Sequence, residues 1–236
     1  MVSKIKYQKQ FGGKHVLITG GSEGIGLALA QSFVRAHAHV TVVARSQAKL
    51  DAAKSSLEGL ATEVASTSRI NIESADVTNP QQVSDAVRSA QQAIGPIDVL
   101  VCNAGMALPG YFHEQSLDVF RQHMDVNYFG CVNTVKAVYD GMVARNAGRI
   151  CLMSSTLGLM GIVGYTGYCG SKYAVRGFAD ALRNELVGTE VSVSIMFPPD
   201  TKTPGFEHEN TMKPPETAEI SAGADLVSPE KVGWRF

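Results

Sequence analysis

The sequence predicts an α/β protein, a doubly wound parallel sheet with helices on both faces, and three observations carry that prediction. Short, almost purely apolar runs alternate with longer segments of helical spacing. The runs lack the in–out alternation of a sheet with one wet face, so both faces are covered, as helical crossovers between parallel strands require. A glycine-rich turn, Thr19 to Gly26, joins the first run to the first helical segment. No internal repeat or low-complexity linker divides the 236 residues, which fit one domain.

The elements follow in order. Residues 15–19 form an apolar run stopped by glycine, the first strand. Residues 24–36 carry Ile25, Leu29, Ala30 and Phe33 at helical spacing. Residues 40–44 are the second strand and 46–64 the second helix. Residues 70–75 are a weaker third strand. Asn79 and Pro80 supply an N-cap and a first-turn proline for a helix reaching about residue 94. Residues 97–102 are strand four, 116–145 one long helix, and 149–153 strand five. Residues 167–187 are helical and 191–197 are strand six. Residues 1–13 read as an N-terminal tail. The segment 198–227 holds five of the nine prolines and little periodicity, which predicts a loop or lid over a substrate. Ser228, Pro229 and Glu230 then announce a helix, with the final residues 228–236 too few to extend it far.

Bulk composition narrows the chemistry. Hydrophobic residues make up 44% and charged residues 18%, which suits a soluble globular domain. A net charge of −1 without a basic stripe argues against nucleic acid as a partner. Cys102, Cys131, Cys151 and Cys169 show no metal-ligand spacing, so no metal is expected, and they read as reduced thiols. No run approaches the ~18 apolar residues of a spanning helix, and residues 1–14 are polar and basic without a signal peptide's apolar stretch. Any membrane contact is expected to be peripheral.

The first βα turn predicts where a dinucleotide sits. Gly20, Gly24 and Gly26 let the backbone turn tightly and approach a pyrophosphate, and the following helix offers free N–H groups and a positive dipole end. The end of strand two selects the cofactor. An acid there would accept from a ribose 2′-hydroxyl, but Ala44 is followed by Arg45, with Lys49 one turn later. Arg45 can fork onto a 2′-phosphate and Lys49 adds positive charge, which predicts NADPH (NADP). Glu23 in the turn is unfavourable beside phosphates unless it points outward. Asp76, after strand three, suits the adenine amino group or a turn-capping role. Asn103, Ala104 and Gly105 end strand four with residues small enough for backbone to lie against the cofactor.

Tyr168 and Lys172, four apart in a predicted helix, share one face. A free phenol titrates near about 10, too high for efficient acid–base work. A neighbouring ammonium is expected to lower it. Ser155, after strand five, can donate a hydrogen bond to a carbonyl oxygen as charge develops there; Ser154 competes for that role. Asn127, within Asp125 to Tyr128 on the long helix, is an awkward helix-interior residue, expected to hold a local distortion and a water linking Lys172 to solvent. The pieces predict a nicotinamide-dependent carbonyl reductase.

These motifs, in this order over residues 11–203, resemble the short-chain dehydrogenase/reductase family. The resemblance implies a Rossmann-type sheet of seven strands ordered 3-2-1-4-5-6-7, of which this sequence supplies six. It implies Ser155, Tyr168, Lys172 and Asn127 as the catalytic set, with Lys172 also on the nicotinamide ribose. Within the family, Cys102 to Met106, Tyr165 to Leu186 and the run Pro198 to Phe206, followed by Glu209-Asn210 and Lys213-Pro214, look like the 3-ketodihydrosphingosine reductases. That likeness implies reduction of a long-chain keto-lipid, 3-ketosphinganine, at the cytosolic face of the endoplasmic reticulum. It carries over Gly20, Ser22, Glu23, Gly24, Arg45, Lys49, Asp76, Tyr168 and Lys172 as cofactor positions. A homo-oligomer is usual in the family. Two alternatives stay open: a reductase of another ketone, such as a 3-oxoacyl thioester or a steroid, and a truncated, inactive NADPH-binding isoform.

Overall fold

A computed structural model of the chain describes residues 10–223 and 225–233. The polar stretch up to residue 9 and the terminal Trp234, Arg235 and Phe236 lie outside the described residues. Six parallel strands form one sheet: β1 (His15–Thr19), β2 (His39–Ala44), β3 (Ile70–Ser74), β4 (Val99–Cys102), β5 (Gly148–Met153) and β6 (Val191–Met196), in the order β3-β2-β1-β4-β5-β6. The order reverses beside β1, which opens a crevice outside the carboxyl ends of β1 and β4.

Successive strand residues feed two separate cores, because side chains alternate across a sheet. In β1, Val16 and Ile18 pack with Leu29 and Phe33 of α1 (Gly24–Arg35) and Leu50 and Leu57 of α2 (Gln47–Glu63). Leu17 points the other way, into the core under α3 (Pro80–Ile94) and the later helices, which include Val135, Val138, Val175 and Ala179. The expected two-sided burial is what the strands show: all five residues of β1 and all four of β4 are buried.

The predicted helix 116–145 is three pieces: α4 (Leu117–His123), a π-helical turn (Met124–Phe129) and α5 (Gly130–Ala144). The widened turn contains Asn127, so the distortion expected there is real. After it, α6 (Thr166–Glu185) carries the Tyr168 and Lys172 pair.

The segment 198–227 is not the plain loop its prolines predict. It contains α7 (Pro204–Asn210) and α8 (Pro215–Ala222), each with proline in the first helical turn, where its missing N–H costs nothing. Thr203 caps α7, its hydroxyl accepting from Phe206 N at 3.1 Å. Thr201 and Val227 then form a parallel bridge, with Lys202 N donating to Val227 O at 2.9 Å and Val227 N to Asp200 O at 3.0 Å. The helix announced at Ser228 is delivered as α9 (Pro229–Gly233), which packs on α1: Val232 is buried, and a Cβ at Gly233 would lie 3.0 Å from Ala28 O. Among the described residues β6 is the sheet's edge, with Ser192 and Ser194 exposed. Among them, too, no helix is long and apolar enough to cross a membrane.

Candidate active site

The glycine turn is built so that no side chain could occupy it. Gly20 and Gly24 take φ of +63° and +56°, a region that strains any residue with a Cβ. A Cβ on Gly26 would fall 2.2 Å from Gly20 O. The turn is braced from β4: Asn103 Nδ2 donates to Thr19 O (3.2 Å) and Gly20 O (3.0 Å), while Asn103 N and Ala104 N donate to Thr19 Oγ1. Asn103 therefore shapes the cradle with its side chain already committed. Glu23 occupies the N-cap of α1 without a side-chain cap bond, and no acid follows in the first turn. The helix N–H groups next to Ser22 are thus left for an anion, and a pyrophosphate fits the turn.

At the end of β2, Arg45 is exposed and its guanidinium has no partner among the described residues. Lys49 is different. Its Nζ donates to both Glu23 oxygens at 2.8 and 3.0 Å, so the pair largely cancels, and the free positive charge expected from Lys49 is reduced. The same pairing turns Glu23 away from the role of a bare carboxylate facing phosphates. Such an exposed pair contributes little to stability and yields to a competing anion. Asp76 Oδ1 accepts from Thr78 N and Thr78 Oγ1 at 2.9 and 2.8 Å, the turn-capping role, and Asp76 also lines the crevice.

The crevice holds about 410 Å³ and runs from this cradle to Ser155, Tyr168 and Lys172. Ser154 and Ser155 separate cleanly. Ser154 is buried and donates to Lys172 O at 3.0 Å, a structural bond from β5 to α6. Ser155 accepts from Leu157 N at 3.2 Å and lines the crevice with Tyr168, whose phenol pKa its hydroxyl lowers.

Lys172 is buried, its Nζ donating to Met153 O at 3.0 Å and lying 5.6 Å from the Tyr168 ring centroid. Burial lowers its pKa to about 8. The expected depression of Tyr168 is not found. Burial raises the phenol above its ordinary value, and the nearby charges of Glu209 and Asp200 push the same way, against the single lowering bond from Ser155.

Asn127 is fully buried and off the crevice wall. Its Oδ1 accepts from Met106 N at 2.8 Å, and its Nδ2 donates to Met106 O and Ser171 Oγ, both at 2.9 Å. A Cβ on Gly105 would meet Asn127 Oδ1 at 3.1 Å and Lys172 Nζ at 3.4 Å, so Gly105 lies close against both side chains.

Several participants escaped the sequence reading. His123 stacks edge-on to Tyr168 with 6.1 Å between centroids, accepts from Leu108 N at 3.0 Å, and donates to Val119 O at 2.9 Å. It lies four residues before Asn127, a helical spacing that could have flagged it. Tyr165, one turn before Tyr168, hydrogen-bonds Glu209 of α7. Nothing in the local sequence couples those two.

The family model described as short chain dehydrogenase matches residues 14–214. The chain belongs to the short-chain dehydrogenase family. This short-chain dehydrogenase is 38% identical over 251 aligned residues to a 3-ketodihydrosphingosine reductase of Dictyostelium discoideum, covering 98% of this chain and 74% of the relative. It is 42% identical over 221 residues to a 3-dehydrosphinganine reductase of Danio rerio, covering 93% of this chain and 66% of the relative. Among solved structures it is similar to the closed form of serine dehydrogenase complexed with NADP+, with a TM-score of 0.81, 28% identity, and coverage of 93% of this chain and 86% of that one. It is an oxidoreductase of this family, working with a nicotinamide cofactor.

Proposed function

We propose that this dehydrogenase reduces 3-ketosphinganine to sphinganine with NADPH. The observation that carries the reading is the crevice itself, with a Cβ-free anion cradle at one end and Ser155, Tyr168 and Lys172 at the other. The names of the relatives supply the substrate. The uncommitted Arg45 at the end of β2, with no acid there, supports NADPH over NADH.

When bound, the cofactor supplies the hydride that reduces the ketone carbon. Gly20, Ser22, Gly24 and Gly26 hold its phosphates, Arg45 its 2′-phosphate with help from Lys49 once Glu23 yields, and Asp76 its base. Tyr168 donates the proton to the ketone oxygen. A raised phenol pKa keeps this donor loaded before substrate arrives. Ser155 hydrogen-bonds the same oxygen as charge develops on it. Lys172 stays protonated at neutral pH, since about 8 lies above it, and can hold the nicotinamide ribose and repay the proton. Asn127 acts as a positioning residue through Met106 and the π-helical turn. An acyl chain leaves past Phe206, and the endoplasmic reticulum surface is where such a substrate would be met.

Purified protein with 3-ketosphinganine in detergent micelles should oxidise NADPH and form sphinganine, with an acetoacetyl thioester turned over far more slowly. Preference for the thioester would overturn the substrate assignment.

A further inference from the structure

Two carboxylates stand where a proton donor gains nothing from them. Glu209 on α7 and Asp200 after β6 line the crevice beside Tyr168. Negative charge there makes it harder for the phenol to release its proton, and it offers nothing to a neutral ketone. Glu209 is nevertheless held firmly. The Tyr165 hydroxyl bonds Oε1, and Lys213 Nζ lies 3.7 Å from the same oxygen. The Lys213 side chain is only 2% exposed, with Nζ 4.0 Å from the Phe206 ring centroid and donating to Ser221 Oγ at 3.2 Å. Both contacts to Glu209 use Oε1. Oε2 has no hydrogen-bond partner among the described residues, and no sealed side-chain oxygen or nitrogen among them lacks one, so Oε2 is not sealed, on a residue that lines the crevice. Glu209, Asp200 and Lys213 together leave this wall one negative charge.

We propose that Glu209 is the specificity-determining residue that binds a protonated amine on the carbon next to the reacting ketone. This rests on the reading of the crevice as the site for a long-chain amino ketone. With the ketone oxygen at Tyr168, an ammonium on the adjoining carbon lies against the same wall, where Oε2 can accept from it and Asp200 adds a second negative charge. Charge-assisted bonds of this kind are about twice as strong as neutral ones. A ketone without the amine leaves Oε2 desolvated and unpaired, which selects against it. The arriving cation also offsets the field that opposes proton release, so the donor becomes effective when the amine-bearing substrate is in place.

The test is NADPH oxidation by the full chain with three ketones in identical micelles: 3-ketosphinganine, the same ketone lacking the amino group, and N-acetylated 3-ketosphinganine. Wild-type kcat/KM should favour the free amine over both others by at least about tenfold. Glu209→Gln should erase or invert that preference, losing about tenfold or more on the amine while the two neutral ketones hold their rate or gain. Equal wild-type turnover of all three overturns the inference yet leaves the reductase reading standing, whether or not the variant folds. So does an equal loss on all three in Glu209→Gln, which would mark a structural role. No turnover of any of them by wild-type protein that binds NADPH overturns both readings.

Discussion

Gly26→Ala tests the cradle directly. The new methyl would lie 2.2 Å from Gly20 O, 2.6 Å from Asn103 Nδ2 and 2.8 Å from Gly21 Cα, and two of those three atoms are backbone. The turn must retreat by about 1 Å to restore ordinary contact. Overpacking of this kind costs roughly 1–3 kcal/mol. The retreat also strains the two Asn103 bonds to Thr19 O and Gly20 O, at roughly 1 kcal/mol each. The sum, roughly 3–5 kcal/mol, should lower the melting temperature by about 6–20 °C in a chain of this size. NADPH affinity, followed by fluorescence titration, should fall at least about tenfold, since the anion site and the turn are the same atoms. Gly59→Ala is the control: it sits on the exposed face of α2 with nothing within 4 Å of its Cβ, and should stabilise the helix by roughly 0.5–1 kcal/mol. A Gly26→Ala protein with wild-type melting and wild-type NADPH affinity would refute the reasoning.

Arg45→Ala should weaken NADPH binding by about tenfold while leaving NADH binding nearly unchanged, because only the 2′-phosphate loses its partner; titration with both cofactors checks this. Asn127→Ala strands three partners, two half-buried at Met106 and one buried at Ser171, and should cost roughly 2–4 kcal/mol, read as a lower urea midpoint. His15 and His123 are buried neutral, with folded pKa values held below 6.5 mainly by desolvation. Below about pH 6.5 the unfolded chain therefore binds more protons than the folded one, and stability should fall as pH drops from about 6.5 toward the lower folded values. Urea melts between pH 7.5 and 5.5 should show that loss, and His123→Gln should reduce it.

The fold was legible because doubly buried strands leave apolar runs that no other element imitates, and residues 15–19 or 97–102 need no tertiary information to be recognised. Asn127 was legible for a related reason: a polar side chain in the middle of a helix demands a partner, and the π-helical turn at Met124–Phe129 is how it finds one. What stayed hidden depends on side chains distant in sequence. Asn103 reaches back to Thr19 and Gly20, and Lys49 closes on Glu23. Neither pairing leaves a local trace, so the brace that Asn103 gives the turn and the partner that Lys49 holds could not be read from the sequence. The direction of the Tyr168 shift was not foreseen because it turns on burial and on carboxylates brought in from residues 200 and 209, and both are tertiary facts. The helices α7 and α8 were obscured by their own prolines, which read as loop markers until Thr203 is recognised as a cap and Pro204 and Pro215 as first-turn residues.

The claim on which the rest depends is that Tyr168 is the proton donor. Tyr168→Phe removes one oxygen from a ring already packed between Tyr165 and His123, so the fold and the phosphate cradle should be untouched. Single-turnover mixing of NADPH-loaded protein with 3-ketosphinganine should show cofactor affinity within about twofold of wild type and sphinganine formation slowed by roughly 100-fold or more. Sphinganine formed at the wild-type rate by that variant would contradict the mechanism outright.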